Sequence, residues 1–311
     1  MPGNAEGIKG AGVPKVCIVV LNWRAWETTA RCLESLESDL SSGAEVVVVD
    51  NASRDGSVPE LRRRYPSLTV LESPTNLGFG GGCNLGIQLA EQRGADFVWL
   101  LNNDVEIQSG SLSALLTKAA ADPQVGAAGS VQYDTQDRQL ICVWGGGWVN
   151  FLTGIPSSCL RPEPARRLQY LSAASLLLRL DALKETGFLD EEFFLYWEDT
   201  DLSFRLRAKG WRLAVAEDSC VHHRGFGSMN PESPSYDYRF TRSSIRFLWK
   251  HAPFPPLPIF VSVAGRLAKR LAARRWACAG AVWRALWALH PPPPESRRET
   301  NHEKEIEDRM G

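Results

Sequence analysis

The stretch WLLNNDVEI, residues 99–107, is an apolar run that stops abruptly at Asn102, Asn103 and Asp104. The short apolar run predicts a buried strand, and the polar residues mark its end. A strand that ends in a carboxylate is a natural place for a metal ion, but here two neutral amides precede the single acid. An Asp after a strand is also a common turn former. The stretch alone leaves both interpretations of Asp104 open.

Three further strand patterns precede this one, at residues 16–21, 45–50 and 68–73, and the fourth covers 96–101. Helical patterns separate them. Strands that alternate with helices predict an α/β fold with a mostly parallel sheet covered on both faces. In such sheets, ligands bind at the carboxyl ends of the strands. The loops at those ends are therefore the first place to look for chemistry.

Each of the predicted strand ends carries polar or glycine-rich residues. Asn22 follows the first strand, DNASRDGS (50–57) follows the second, and NLGFGGGCN (76–84) follows the third. A carboxylate in the second loop could accept hydrogen bonds from a nucleobase or a ribose. Asx and Ser residues also form such turns by bonding their own backbone, so a structural role stays open.

The third loop begins like a dinucleotide-binding fingerprint but does not complete it. Gly78-x-Gly80 fits, yet residue 83 is Cys, and the segment follows a third strand and not a first one. A glycine-rich helix start can approach a phosphate closely with its backbone N–H groups. The alternative is close packing of a helix on the sheet, and the glycines weakly favour the ligand loop.

FFLYWEDTDLSFR, residues 193–205, sets three acids close together among aromatic residues. Successive helical residues turn by about 100°, so Asp199 and Asp201 point to nearly opposite sides. If Asp199 faces the cleft, Asp201 faces away and can pair with Arg205 at i+4. Crowding beside Glu198 should raise one carboxyl pKa, which suits a general base. An ordinary acidic helix start is the alternative.

VHHRGFGS, residues 221–228, offers two adjacent histidines, His222 and His223. Either could ligate a metal or donate a proton near a diphosphate. Neighbouring residues on a strand point to opposite faces, so at most one of them faces the site.

The composition bounds the class of protein and its surroundings. The net charge of −1 over 311 residues gives no reason to expect nucleic acid as a partner. The seven cysteines are odd in number and form no C-x-x-C pair, which fits a reducing, cytoplasmic environment. The sequence shows neither a signal peptide nor an apolar run long enough to span a membrane.

The C-terminal part differs in composition from the rest. From Arg239 to Pro294 there are ten Lys or Arg residues and no Asp or Glu, with Trp and Phe interspersed. Such a segment suits the surface of an anionic membrane, and it is equally consistent with basic helices packed on the main domain. The last residues read as a disordered tail.

In order and spacing, these segments resemble family 2 glycosyltransferases, inverting enzymes of the GT-A fold, and among them the bacterial rhamnosyltransferase-like members. The matching segments cover roughly residues 16–230: IVVLNW, VVVDNASRDGS, NLGFGGGCNLG, WLLNNDVEI, LKETGFLDEEFFLYWEDTDLSFRLRAKGW and VHHRGFGS. The expected organisation is a flexible N-terminus (1–15), a GT-A catalytic domain (16–235, with a nucleotide-sugar half 16–130 and an acceptor half 131–235), a helical extension (236–290) and a tail (291–311).

The resemblance also implies roles for particular residues. Asp199 would deprotonate the acceptor hydroxyl with Glu198 beside it, and Asp104 would bind Mg²⁺ or Mn²⁺. His223, or by a one-residue ambiguity His222, would approach the metal or the diphosphate. The remaining residues would surround the donor: Asn22, Asp50, Asn51, Ser53, Asp55, Asn76, Gly78, Phe79, Gly80, Asn84, Asn102 and Asn103.

Asn102 departs from the family, because many relatives carry the first acid of an Asp-x-Asp there. We therefore expect weak metal binding until the diphosphate of the nucleotide-sugar supplies further oxygens. The implied reaction moves a sugar, at first guess rhamnose from dTDP-rhamnose, to a glycan or lipid-linked acceptor in cell-envelope polysaccharide synthesis. A nucleotidyltransferase and a non-catalytic sugar-nucleotide-binding protein are the alternatives. A nucleotidyltransferase would be expected to have a glycine-rich basic loop after the first strand, but LNWRAWE (21–27) has no glycine there.

Overall fold

The computed structural model describes residues 14–37, 39–40, 44–163, 167–223 and 232–287; most of the predicted flexible N-terminus and the whole predicted tail lie outside these ranges. The strands are β1 Val16–Asn22, β2 Glu45–Asp50, β3 Thr69–Glu72, β4 Phe97–Asn102, β5 Val105–Ile107, β6 Val125–Asp134, β7 Ile141–Trp144, β8 Gly146–Asn150, β9 Ile155–Ser158, β10 Tyr170–Leu171, β11 Ser175–Arg179 and β12 Arg212–His223. The helices are α1 Trp26–Leu36, α2 Ser57–Arg64, α3 Gly78–Gln92, α4 Ser111–Ala120, α5 Leu180–Thr186, α6 Glu198–Ala208, α7 Pro234–His251, α8 Pro256–Ala272 and α9 Trp276–Trp287, with a short 3-10 helix at Glu191–Phe193.

The main sheet has the strand order β3-β2-β1-β4-β11-β6-β12-β5, and β7 pairs with β6. β3, β2, β1 and β4 are parallel, as the alternation of strands and helices predicts. Beyond β4 the sheet is mixed, because β11 runs antiparallel to both β4 and β6. β11 begins beside the carboxyl end of β4, where Ser175 pairs with Leu101, and therefore runs in the opposite direction to β4. The sheet is thus less parallel than the sequence indicates.

Alternate residues of the central strands belong to two separate apolar layers, one on each face of the sheet. Val19 of β1 belongs to the layer that includes Ile87 of α3, whereas Ile18 packs into the layer formed with α1, α2 and α4. This is the period of two that a strand buried on both faces requires. Trp99 of β4 is fully buried, and its indole N–H donates to the Ser175 hydroxyl at 3.0 Å.

The glycines of α3 allow this helix to lie very close to β1. A Cβ at Gly82 would stand 2.4 Å from Leu21 Cδ1, and one at Gly86 would stand 2.4 Å from Val19 Cγ1. Both distances are far below van der Waals contact, so larger residues would push the helix off the sheet. Gly82 and Gly86 therefore serve close packing, while a role of this segment in ligand binding stays a prediction.

The three C-terminal helices pack on one another and on the acidic segment before α6. Phe247 of α7 is fully buried, with its ring centroid 4.7 Å from that of Trp197. Ile245, Val263 and Val282 join α7, α8 and α9 in a small separate core. Among the residues that the structure describes, no helix combines the length and the apolar character needed to cross a bilayer.

Candidate active site

The carboxyl ends of β1 and β2 are joined by a buried polar network. Asn22 and Asp50 face each other in the strand register, and the Asn22 amide donates to Asp50 Oδ1 at 2.7 Å. Ser53 donates to Asp50 twice, from its hydroxyl to Oδ1 at 2.6 Å and from its backbone N–H to Oδ2 at 3.0 Å. Asp50 is thus occupied in shaping its own loop. Its contact with a base or ribose stays a prediction.

Asn51 connects the second strand end to the start of α3. Its amide N–H₂ donates to the Gly78 carbonyl at 2.9 Å and to Asn76 Oδ1 at 3.2 Å, and its amide oxygen accepts from the backbone N–H of Leu77 at 2.9 Å. Asp55 lies further out and is exposed. It accepts from the backbone N–H of Ser57 at 3.0 Å, which places it at the start of α2.

Gly78 brings the start of α3 against the segment that precedes α6. Its φ is +75°, and a Cβ there would lie 2.1 Å from the backbone oxygen of Phe194. That same oxygen accepts a hydrogen bond from the Phe79 N–H at 2.6 Å. Two motifs more than one hundred residues apart in the sequence are therefore in direct backbone contact.

Asn84, Phe79 and Gly80 have packing roles where the family resemblance implies contacts with the donor. Asn84 donates to the Leu189 carbonyl at 2.9 Å and accepts from the Leu189 N–H at 3.1 Å. Its amide is thus buried and bonded within the protein, and a position beside the donor stays a prediction. Phe79 packs against the main core, and a Cβ at Gly80 would make an ordinary contact with Leu189.

Asn102, Asp104 and His223 converge at the end of β4. The His223 Nε2 atom lies 3.3 Å from Asp104 Oδ1 and 3.3 Å from Asn102 Nδ2. The pairing of β5 with β12 creates this contact, because it sets His223 opposite Val105, the residue after Asp104. His222 points elsewhere and lies 3.3 Å from an Arg138 guanidinium nitrogen. At most one histidine was expected to face the site, and His223 is that residue.

This cluster fits a divalent cation. The Asn102 amide oxygen is buried and has no hydrogen-bond partner among the described residues. A 180° rotation of this amide would exchange its oxygen and nitrogen and turn the oxygen toward His223. A carboxylate, an imidazole and an amide oxygen would then converge, which leaves positions for diphosphate oxygens. In the described parts of the chain, no group of three or more His, Cys, Asp or Glu side chains forms a metal site.

Asn103 points away from this cluster toward α1. Its amide donates to the Thr29 hydroxyl at 3.0 Å, and Thr29 in turn donates to the Asn22 amide oxygen at 2.7 Å. Thr29 is fully buried and links the ends of β1 and β4, a role that the sequence interpretation missed. The available signal was a polar residue three positions after Trp26, on the apolar face of α1.

Asp199 lies at the same strand end, held from one side by backbone N–H groups. Its Oδ2 accepts from Ala173 at 3.1 Å and its Oδ1 from Thr200 at 2.6 Å. The next residue, Ala174, accepts from the Asn102 N–H at 3.1 Å. A two-residue bridge thus joins Asp199 to the strand end that carries Asp104. Burial raises the pKa of Asp199 despite these hydrogen bonds, the direction that a general base near neutral pH requires.

Glu198 is buried beside Asp199. Burial, with the Asp199 charge next to it, raises the pKa of Glu198 to about 8, and its Oε2 has no hydrogen-bond partner in the described chain. Tyr196 and Trp197, immediately before it, have φ values of 69° and 73°. Such left-handed conformations are costly for bulky residues and cluster at functional sites.

Asp201 points away from Asp199 and is fully buried, as the helical geometry predicts. The expected pair with Arg205 is present at 2.7 Å, and two side chains of α7 also contact Asp201: Lys250 Nζ at 2.8 Å and His251 Nε2 at 2.7 Å. Burial alone would raise the pKa of Asp201, but the hydrogen bonds from these partners outweigh it and lower the pKa to about 2. The acidic helix is thus anchored to the C-terminal helices.

These features define a GT-A glycosyltransferase fold, with polar side chains at the carboxyl ends of parallel strands and an acidic helix beside them. Residues 16–141 match the family Glycosyl transferase family 2. The chain is 30% identical to the N-acetylglucosaminyl-diphospho-decaprenol L-rhamnosyltransferase of Mycobacterium tuberculosis over 277 residues, 81% of this chain and 90% of that protein. The chain therefore belongs to Glycosyl transferase family 2.

Two further similarities extend this comparison. The galactofuranosyltransferase GlfT1 of Mycobacterium tuberculosis is 36% identical over 221 residues, 67% of this chain and 69% of that protein. The solved mannosyltransferase of Pyrobaculum calidifontis in complex with GDP-Man and Mn²⁺ superimposes with a TM-score of 0.55 at 20% identity, over 94% of this chain and 81% of that one. These relatives are named for different sugars, so family membership does not fix the donor.

Proposed function

We propose that this glycosyltransferase moves a sugar from a nucleoside-diphosphate donor to an acceptor hydroxyl with inversion at the anomeric carbon, using Asp199 as the base. The observation that carries the proposal is the bridge Ala173–Ala174, which joins the Asp199 carboxylate to the end of β4 where Asp104 and His223 meet. Direct displacement needs a base on the acceptor side and neutralisation of charge on the leaving diphosphate. The two clusters supply groups for both.

Asp199 is suited to accept the acceptor proton. Two backbone N–H groups orient its carboxylate, and its side chain is only partly exposed. The raised pKa makes it a stronger base than an exposed aspartate. Glu198, with its pKa raised to about 8, is largely neutral at pH 7 and so adds little repulsion when Asp199 is ionised.

On the leaving-group side, Asp104, His223 and the Asn102 amide oxygen would hold Mg²⁺ or Mn²⁺. When bound, such an ion stabilises the negative charge that develops on the departing diphosphate. The buried network of Asn22, Asp50 and Ser53 would present its loop to the nucleoside.

For the substrates, we propose rhamnose from dTDP-rhamnose and a lipid-linked saccharide acceptor in cell-envelope polysaccharide synthesis. The name of the rhamnosyltransferase relative, which covers most of both chains, supports this choice. A peripheral site at the cytoplasmic face of a membrane follows from such an acceptor and suits a chain whose seven cysteines are all unpaired.

The exposed faces of α8 and α9 support the proposed membrane contact. Leu257, Phe260 and Leu271 are exposed on α8, and Trp276, Trp283 and Trp287 are exposed on α9. From residue 238 to residue 287 the chain has cationic side chains and no Asp or Glu. An apolar face beside exposed cations such as Lys269 and Arg274 complements an anionic lipid surface. A second copy of the same face would bring like charges together.

A donor screen tests the proposed reaction. Nucleotide release is measured with dTDP-rhamnose and other nucleotide-sugars, with an acceptor present, with and without Mg²⁺ or Mn²⁺. We expect release to depend on dTDP-rhamnose and on the divalent ion. Full activity in EDTA would contradict the metal site, and turnover of another donor alone would contradict the assigned sugar.

Sedimentation with vesicles tests the membrane contact separately. Vesicles that contain phosphatidylglycerol should bring down the wild-type chain and much less of the variant Phe260→Ser/Trp287→Ser. Equal recovery of both proteins with the vesicles, or none of either, would contradict the proposed face.

A further inference from the structure

A cavity of about 350 Å³ lies between α7, α9 and the 3-10 helix Glu191–Phe193, outside the candidate active site. Eight residues line it: Glu192, Arg242, Ser243, Ile245, Arg246, Trp249, Lys250 and Ala285. Its volume is within the range of small-molecule sites and is large enough for a phosphate or diphosphate group.

The cationic side of the cavity is a single face of α7. Arg242, Arg246 and Lys250 follow one another at intervals of four residues, so they lie on the same side of the helix. Burial lowers the pKa of Arg242, which reflects the loss of hydration around its guanidinium. The Arg246 Nε atom is buried and has no hydrogen-bond partner among the described residues. A buried N–H donor without a partner is rare and favours a bound acceptor.

Carboxylates balance part of this charge. Glu192 pairs with Arg246, and Asp190 lies 3.0 Å from Lys250 and 4.0 Å from Arg246. Lys250 also contacts Asp201. Of these acids only Glu192 lines the cavity, and its side chain is 55% exposed. A phosphate can therefore displace Glu192 from Arg246 at little cost, because a solvent-exposed ion pair contributes little to stability.

Three apolar side chains also line the cavity: Ile245, Trp249 and Ala285. Trp249 is 57% exposed, so a phosphate in the cavity would have beside it an apolar side chain that reaches the protein surface. This combination suits an amphiphile better than a free phosphate.

We propose that this cavity binds a phosphate or diphosphate group carried on an apolar chain, with Arg242 and Arg246 as its main ligands. The source is either a membrane phospholipid or a prenyl-type diphosphate lipid, since both present the same chemistry. The proposal concerns binding and does not depend on the transfer reaction.

Isothermal titration of the full chain with farnesyl diphosphate, below its micelle concentration and in EDTA, tests the proposal. We expect binding that the variant Arg242→Gln/Arg246→Gln weakens about tenfold or more, because two charged hydrogen bonds are lost. The matched variant Lys118→Gln/Lys209→Gln, which removes two exposed cations outside the C-terminal helices, should remain within about twofold of wild type. Arg242→Lys/Arg246→Lys, which keeps the charge, should retain most of the binding and shows that the site tolerates substitution.

Further binding measurements distinguish a phospholipid from a prenyl-type diphosphate lipid. Inorganic diphosphate should bind more weakly than farnesyl diphosphate. Farnesyl diphosphate could fail to bind while Arg242→Gln/Arg246→Gln loses more binding to phosphatidylglycerol vesicles than Lys118→Gln/Lys209→Gln does. In that case the ligand is a phospholipid headgroup and the proposal holds. Equal losses in the two double variants, or loss of farnesyl diphosphate binding in Asp104→Asn with none in the cavity variant, would overturn it.

Discussion

Gly78→Ala should be far more damaging than its exposed relative Gly94→Ala. Both glycines have left-handed backbones, with φ of +75° and +68°, so both substitutions incur about 1 kcal/mol of backbone strain. A Cβ at Gly94 has nothing within 4 Å, whereas one at Gly78 would lie 2.1 Å from the Phe194 oxygen. Backbone must move, the Phe79 hydrogen bond to that oxygen is lost, and the total cost should reach about 4 kcal/mol.

Urea unfolding of the two variants measures this difference. The contact joins α3 to the segment that carries Asp199, so Gly78→Ala should also reduce sugar transfer, and Gly94→Ala should not. If both variants lose the same free energy of unfolding, about 1 kcal/mol, the close approach of these two segments is wrong.

Three other predictions concern the charged groups. The pKa of Glu198 is raised to about 8, so the folded protein favours its neutral form and the free energy of unfolding falls as pH rises toward 8. Glu198→Gln should remove this loss, which is on the order of a few kcal/mol. Urea unfolding across this pH range measures it. The pKa of Asp201 is shifted in the opposite direction, to about 2. Its contribution to the free energy of unfolding is therefore present near neutral pH and lost as pH falls toward 2. Asp201→Asn should therefore cost about 3–5 kcal/mol at neutral pH and little in acid. Electron paramagnetic resonance of free Mn²⁺ should show weak binding until a nucleoside diphosphate is added, and then binding that His223→Ala weakens about tenfold or more and His222→Ala leaves unchanged.

The first four strands could be predicted from the sequence because each is a short apolar run that ends in a polar loop. β6, Val125–Asp134, was missed because VGAAGSVQYD is rich in small residues and lacks the β-branched pattern of β1 and β2. β5 was missed inside the opening stretch itself, since Val105–Ile107 is only three residues long. Such an edge strand is defined by its partner and not by its own composition.

The contacts of the candidate site also fall into two groups: those that the sequence predicted and those that it did not. Helical geometry predicted that Asp199 and Asp201 diverge and that Arg205 pairs with the second, because these relations span only a few residues. The contact of His223 with Asp104 depends on the register of β12 against β5, more than one hundred residues away in sequence. His251 reaches Asp201 through the docking of α7, for which no local pattern exists.

Side chains at the end of WLLNNDVEI thus form a cluster and not only a turn. Asp104 contacts His223, and the buried amide oxygen of Asn102 has no hydrogen-bond partner among the residues that the structure describes. The metal role remains a proposal, as does the base role of Asp199.

The role of Asp199 as the base is tested most directly by the rate of rhamnose transfer from dTDP-rhamnose. Wild type, Asp199→Asn and the exposed control Asp181→Asn are compared, and donor affinity is measured on the same proteins. Asp199→Asn should lose about 10²- to 10⁴-fold in transfer rate while donor affinity stays at the wild-type value, because only the base is removed. Asp181→Asn should match wild type. Transfer by Asp199→Asn within a few-fold of wild type would contradict the assignment of the base.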